Sequence, residues 1–194
     1  MARSKFAGIK GTRMAGSGGA YFTNGKHLAR IDRIKSFEDG MRVERTAIEF
    51  TILKTLEPGP DDETHRTGEE VSKLWEDKSV WFLGQFKQFI AAALGLTGDD
   101  AEEQITEEVC EEIIDSEKQP LAGQIMLVYG RPKRTQAGKM ITVTTFLKSV
   151  PHNEVSDLLG DDAGEILERC YRDKTGFRSM TDFESRVANA DTPF

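Results

Sequence analysis

The stretch YGRPKRTQAGKMITVTTF, residues 129–146, gathers the side chains best suited to chemistry. It holds Arg131, Lys133, Arg134 and Lys139 and no acid, in a chain of formal net charge −7. Tyr129 and Phe146 flank these cations, one on either side of a loop shaped by Pro132 and Gly138. Cations that track phosphates, beside aromatic faces on which bases stack, are what binding to a single-stranded nucleic acid requires. Such binding releases counterions and is strongly salt-dependent. Lys and Arg on a hairpin also block edge-to-edge strand pairing, so a purely protective reading stands beside the first.

The rest of the charge is unevenly spread. Residues 1–56 carry net +6, 57–120 net −13, 121–150 net +5 and 151–194 net −5. Two basic blocks are thus separated by an acidic insert and followed by an acidic tail. In the first block, Arg30, Arg33 and Lys35 lie on a strand-like segment, and Arg42 and Arg45 flank the turn after it. Basic segments that fold together would make an anion-binding face.

Other chemistries find little support. GSGG at 16–19 precedes any strand, and GRPKRTQAGK lacks the spacing and the following Ser or Thr of a phosphate-binding loop. His27, His65 and His152 lie far apart, and with two cysteines they match no metal-ligand spacing. The expectation is a non-enzyme with no cofactor. Cys110 and Cys170 sit in helix-like segments, which fits a reducing compartment better than a disulfide framework. The N-terminus has no apolar core of signal-peptide length. The longest apolar run, VWFLGQFKQFIAAALGL (80–96), is broken by Gln85, Lys87 and Gln88 and reads as a buried amphipathic helix, not a membrane span.

The elements that must position the cations follow from periodicity. Residues 1–20 read as a flexible basic arm. HLARIDRIKSF (27–37) is strand-like but breaks alternation: Ala29 and Ile31 share one face, Leu28 and Ile34 the other, which a bulge or strong bend would reconcile. RTAIEFTILKTL (45–56) alternates, with Ile48, Phe50 and Ile52 on one face, as a half-buried antiparallel strand does. Residues 57–68 are a loop and 69–77 a third strand, Val71 and Trp75 sharing a face; Trp75 is a further candidate for stacking. Ser79 is placed as N-cap of a helix over 80–94 whose phenylalanines are core, Gly95 as its stop, and Trp81 as packing at its start. A second helix spans 105–117, capped by Thr106. Residues 123–150 form a hairpin, and 164–173 are one short helix in an acidic extension (151–194) with a mobile end.

The expected class is mainly β with helical inserts (α+β). Five strands with helices (about 79–117) between the third and fourth match the order of the OB-fold, a Greek-key barrel, here spanning 21–150. In that layout the first turn and the last hairpin border one cleft, which would bring the two basic blocks together.

In this layout the chain resembles phage-type single-stranded DNA-binding proteins. The resemblance rests on GKHLARIDRIKSFEDG, TAIEFTILKTL, HRTGEEVSKLW, VWFLGQFKQFIAAALGL and LAGQIMLVYGRPKRTQAGKMITVTTF, within residues 21–150. It implies binding of single-stranded DNA in phage replication or recombination, in the host cytoplasm, and is compatible with a homo-oligomer. The end, ADTPF, is similar to the acidic Pro-Phe tip of bacterial single-stranded DNA-binding proteins. By that resemblance Asp191, Pro193 and Phe194 would recruit replication or recombination proteins, although Asp191 is the sole acid in the last eight residues. A second reading is a phage structural or interaction protein, using the same barrel as a protein surface and its arms to lace into neighbours.

Overall fold

The computed structural model describes residues 21–60, 64–79, 81–114 and 117–172. The arm at 1–20 and the end at 173–194, with the proposed tip, lie outside them. Five antiparallel strands form one sheet: β1 (Gly25–Glu38), β2 (Glu44–Pro58), β3 (Glu70–Glu76), β4 (Ile125–Arg134) and β5 (Met140–Ser149). Their order is β3-β2-β1-β4-β5. The sheet is not closed, because β3 and β5 are its two edges and do not pair with each other.

The broken alternation of β1 has the cause its sequence suggests. Its pairing with β2 shifts between Ile31 and Arg33, leaving Asp32 as an extra residue. That bulge returns Ile34 to the face of Ala29 and Ile31, and all three enter one core. Leu28 points the other way, into a second core. The turn into β2 is set by Asp39, whose Oδ1 accepts the N–H groups of Met41 at 2.8 Å and Val43 at 3.0 Å. Its Oδ2 accepts Arg45 Nε–H at 2.7 Å. This Arg45 contact first, then the bond from Val43, holds the Asp39 carboxyl below the usual carboxylate range.

The first core lies between the sheet and helix α1 (Phe82–Leu94). Phe82, Phe86, Phe89, Ile90 and Ala93 recur at helical spacing and are buried there against Ile48, Phe50, Ile52 and Trp75. Each of these phenylalanine and isoleucine side chains contributes roughly 1.5–3 kcal/mol by leaving water. Ser79 is not the N-cap; Trp81 takes that position, and Ser79 Oγ accepts the Trp81 N–H at 3.3 Å. Gly95 ends the helix in the left-handed region (φ 69°), where a missing Cβ removes the strain. The acidic insert forms two short helices, α2 (Gly98–Gln104) and α3 (Glu107–Ile114). Thr106 Oγ1 accepts the Val109 N–H at 3.4 Å, as its expected capping role requires. Gln119 then ties the insert to β1, accepting Ile34 N–H and donating to Ile34 O, each at 2.7 Å.

The extension beyond Pro151 holds two helices, α4 (His152–Leu159) and α5 (Ala163–Arg172), joined by a 3-10 turn at Gly160–Asp162. They are docked on the sheet. Val155, Leu159, Leu167 and Cys170 pack on Leu28, Leu53, Ile125 and Leu127 as the second core. The middle of β2 is therefore buried on both faces, not half-buried, with Thr51 and Leu53 under the extension and Phe50 and Ile52 under α1. Among the described residues no helix is long and apolar enough to cross a membrane.

Candidate nucleic-acid interface

The hairpin owes its reach to register. β4 pairs with β1 only as far as Gly130, opposite Gly25. From Arg131 to Arg134 it pairs with β5 alone. The hairpin thus continues past the start of β1 as a two-stranded ribbon. Its loop closes through Thr135, whose N–H donates to Lys139 O at 2.8 Å and whose carbonyl accepts the Gly138 N–H at 2.9 Å. Gly138 has φ 81°, a conformation that favours glycine.

Alternation puts Tyr129, Arg131 and Lys133 on the same face as Ile125 and Leu127. The second core covers Ile125 and Leu127, but Tyr129 (40% exposed), Arg131 and Lys133 stand free of it. Successive members of this row are about 7 Å apart along the strand. Val143 and Ile141 stand across from Arg131 and Lys133. Among the described residues no acid pairs with Arg131, Lys133, Arg134 or Lys139. Arg134 lies on the other face, and its Nε–H donates to Gly138 O at 3.3 Å. The ribbon therefore offers an aromatic ring followed by two cations on one open face.

The base of the ribbon is locked to the segment before β1. A Cβ on Gly130 would lie 2.0 Å from the Thr23 carbonyl oxygen, so only glycine admits that crossing. Thr142 Oγ1–H donates to Asn24 Oδ1 at 3.2 Å. Thr23 N–H donates to His65 Nε2 at 2.9 Å, which leaves the His65 proton on Nδ1, facing Glu69 Oε2 at 3.2 Å. Buried His27 sits between Thr55 Oγ1 and Thr23 O, both at 3.2 Å, its ring centroid 5.0 Å from that of His65. Burial pushes its pKa below the ordinary histidine value; the bond to Thr23 opposes this and the neighbouring His65 adds to it.

The first basic block behaves differently. Arg30, expected on the binding face, is fully buried at 0% exposure, because its position on β1 lies beneath α5. Its Nε–H donates to Asp32 Oδ1 at 2.7 Å, one terminal nitrogen donates to Thr51 Oγ1 at 3.2 Å and the other to Cys170 O. It is a structural cation, unavailable to a ligand. Lys35 is paired with Glu49 and Arg45 with Asp39. Arg33 and Arg42 are exposed and pair with no described acid. This block also occupies the end of β1 opposite the hairpin, since Gly25 abuts Gly130 while Glu38 leads into the first turn. The register thus sets the two blocks at opposite ends of β1.

The aromatic candidates divide as well. Trp75 is 6% exposed and donates from Nε1 to Gln85 Oε1 at 2.8 Å, so it packs and does not present a stacking face. Phe146 is half-buried between Phe50 (centroids 5.9 Å), Phe89 (5.0 Å) and Trp75 (6.2 Å), where α1 crosses β5. Both corrections share one cause: α1 covers the face they occupy. Trp81, expected to pack, is instead 71% exposed. It lies at the end of the sheet where Asp77 N–H bonds to Glu44 O at 3.0 Å.

Two cations escaped the sequence reading. Lys26 stands directly across β1 and β4 from Tyr129, paired with Glu57 at 3.3 Å. Lys73, partly buried on β3, lies 5.5 Å from the Trp75 ring centroid, and burial lowers its pKa. Alternation placed Lys73 beside Val71 and Trp75; nothing in the sequence placed Lys26 beside Tyr129. Among the described residues no group of three or more His, Cys, Asp or Glu is arranged to hold a metal ion. No known family model matches the chain, and no curated protein matches it in sequence.

Proposed function

We propose that the chain binds single-stranded DNA without catalysing a reaction on it, and that the β4–β5 ribbon is the contact. The observation that carries this reading is the open row of Tyr129, Arg131 and Lys133, free of any described acid on a ribbon that projects past its neighbour. Stacking on Tyr129 and phosphate pairing at Arg131 and Lys133 are the two components such binding needs. Arg134 and Lys139 at the tip extend the positive field.

An open five-stranded sheet with helices α1–α3 between β3 and β4 supports reading the domain as a partly open OB-like barrel. OB domains also bind along strands two and three. Here that outer face carries Glu49, Glu70 and Glu76, and its cations are already paired, Lys35 with Glu49 and Arg45 with Asp39, which favours the ribbon as the contact. With the resemblance to phage-type single-stranded DNA-binding proteins, the role proposed is to protect and organise single strands in phage replication or recombination. Asp191, Pro193 and Phe194 would then recruit partner proteins.

Fluorescence anisotropy of a labelled oligo(dT), with a duplex control, tests the reading at low and then rising salt. Salt-sensitive binding that favours the single strand is expected. No binding at low salt would favour the structural reading, for which the uncharged Met140–Phe146 stretch of the β5 edge is the specific observation.

A further inference from the structure

The two edges of the sheet are not alike. β3 ends the sheet with Glu70, Lys73 and Glu76, the charges that normally keep an edge from pairing. β5 ends it with a stretch from Met140 to Phe146 that has no charge, proline or glycine; only past it come a bulge at Leu147 and the single charge of the strand, Lys148. Met140, Ile141 and Leu147 are exposed although large and apolar. Among the described residues β5 pairs with β4 alone. A seven-residue, β-branched, uncharged stretch of edge, guarded only at its far end, is a template for another strand.

We infer that β5 pairs antiparallel with β5 of a second copy, joining two sheets across a twofold axis at Val143. The occupant follows from what each residue would meet. A twofold axis perpendicular to the sheet places Val143 opposite the partner's Val143, Ile141 opposite the partner's Thr145, and Thr142 opposite the partner's Thr144. Each residue lies on the same face as its counterpart, as strand pairing demands. Met140 falls opposite the partner's Phe146, and Lys139 and the bulged Leu147 lie beyond the paired stretch, so no like charges oppose each other within it. β-branched pairs of this kind are the favourable unit of sheet pairing.

The junction has a functional consequence that rests on the proposed nucleic-acid reading. A perpendicular axis keeps both rows of Tyr129, Arg131 and Lys133 on one face. The two β4 strands would lie about 14 Å apart, three strand spacings. One single strand could then contact both rows, and bound phosphate would relieve their mutual repulsion. The pairing itself requires no nucleic acid.

Because Val143 opposes its own counterpart, charge substitutions there test the junction specifically. Sedimentation velocity of the full chain without oligonucleotide should show a species of twice 21.7 kDa. Val143→Lys alone and Val143→Glu alone should each weaken self-association by about tenfold or more. An equimolar mixture should restore the dimer, since Lys then faces Glu. Circular dichroism of each variant separates lost pairing from lost folding, and restoration on mixing excludes misfolding independently. A monomer at all concentrations, or a dimer insensitive to both charges, would overturn the inference. Failure of oligonucleotide binding by an intact dimer would instead count against the proposed function.

Discussion

The guanidinium of Arg30 donates to the carbonyl oxygen of Cys170, 140 residues further along the chain. A cation near the middle of β1 is thereby committed to fastening α5, the last helix among the described residues. It lies at the C-terminal end of α5, where a positive charge meets the exposed carbonyls of the helix. Asp32 and Thr51 complete its partners, and Thr51 Oγ1–H itself donates to Asp32 Oδ2 at 2.6 Å.

Arg30→Met should therefore unfold more easily while leaving ligand binding intact. It would strand Asp32 and the Cys170 carbonyl, at a cost of about 2–4 kcal/mol. Urea unfolding followed by tryptophan fluorescence measures that loss. Oligonucleotide affinity per folded molecule should be unchanged.

Gly130→Ala should disturb the base of the ribbon. The added methyl would overlap the Thr23 carbonyl, and relief means moving either the ribbon or the segment bonded to His65. A loss of about 1–3 kcal/mol is expected, as for other overpacked sites. Thermal unfolding of the variant checks it; a stability equal to the parent chain would show that the crossing is loose.

Acid should weaken the same region through His27. Its folded pKa lies below the ordinary 6.5, so the unfolded chain binds the proton first. The stability that this provides is complete above the unfolded value and is lost as pH falls from there through the depressed folded value. Asp39 does not contribute in that window, since its pKa is already held below 3.8. Urea midpoints should fall between pH 7 and pH 5, and His27→Gln should flatten the slope.

The two aromatic residues first paired by the sequence should separate cleanly. Phe146→Ala removes a ring packed on Phe50 and Phe89 and should cost about 2–4 kcal/mol of stability. Tyr129→Ala, at an exposed site, should change stability by under about 0.5 kcal/mol. It should, however, weaken oligonucleotide binding by about 1–3 kcal/mol. Paired unfolding and anisotropy curves on both variants decide the matter.

Much of this was legible in the chain. The bulge in β1 was written in the apolar Ile34 falling out of phase with Ala29 and Ile31, and the α1 stripe in its phenylalanine spacing. Helix α2, GDDAEEQ, was missed because it has no apolar stripe. Helix α4 was missed because only Val155 and Leu159 mark its buried side. That omission concealed the fate of Arg30. Alternation put Arg30 with Leu28, but what covers that face arrives more than a hundred residues later. Trp75 failed similarly: its face was readable, and the helix covering it was not tied to that face by any local signal. The hairpin cations were readable because exposure at a ribbon tip depends on local sequence alone.

The most direct test of the central claim is the salt dependence of oligo(dT) binding by Arg131→Gln/Lys133→Gln beside the parent chain. Each lost phosphate contact on a single strand lowers the slope of log affinity against log salt by about 0.7. Weaker binding and a slope lower by about 1.4, with stability unchanged, are expected. Parental affinity and slope in a folded variant would contradict it and place any nucleic-acid contact elsewhere on the molecule.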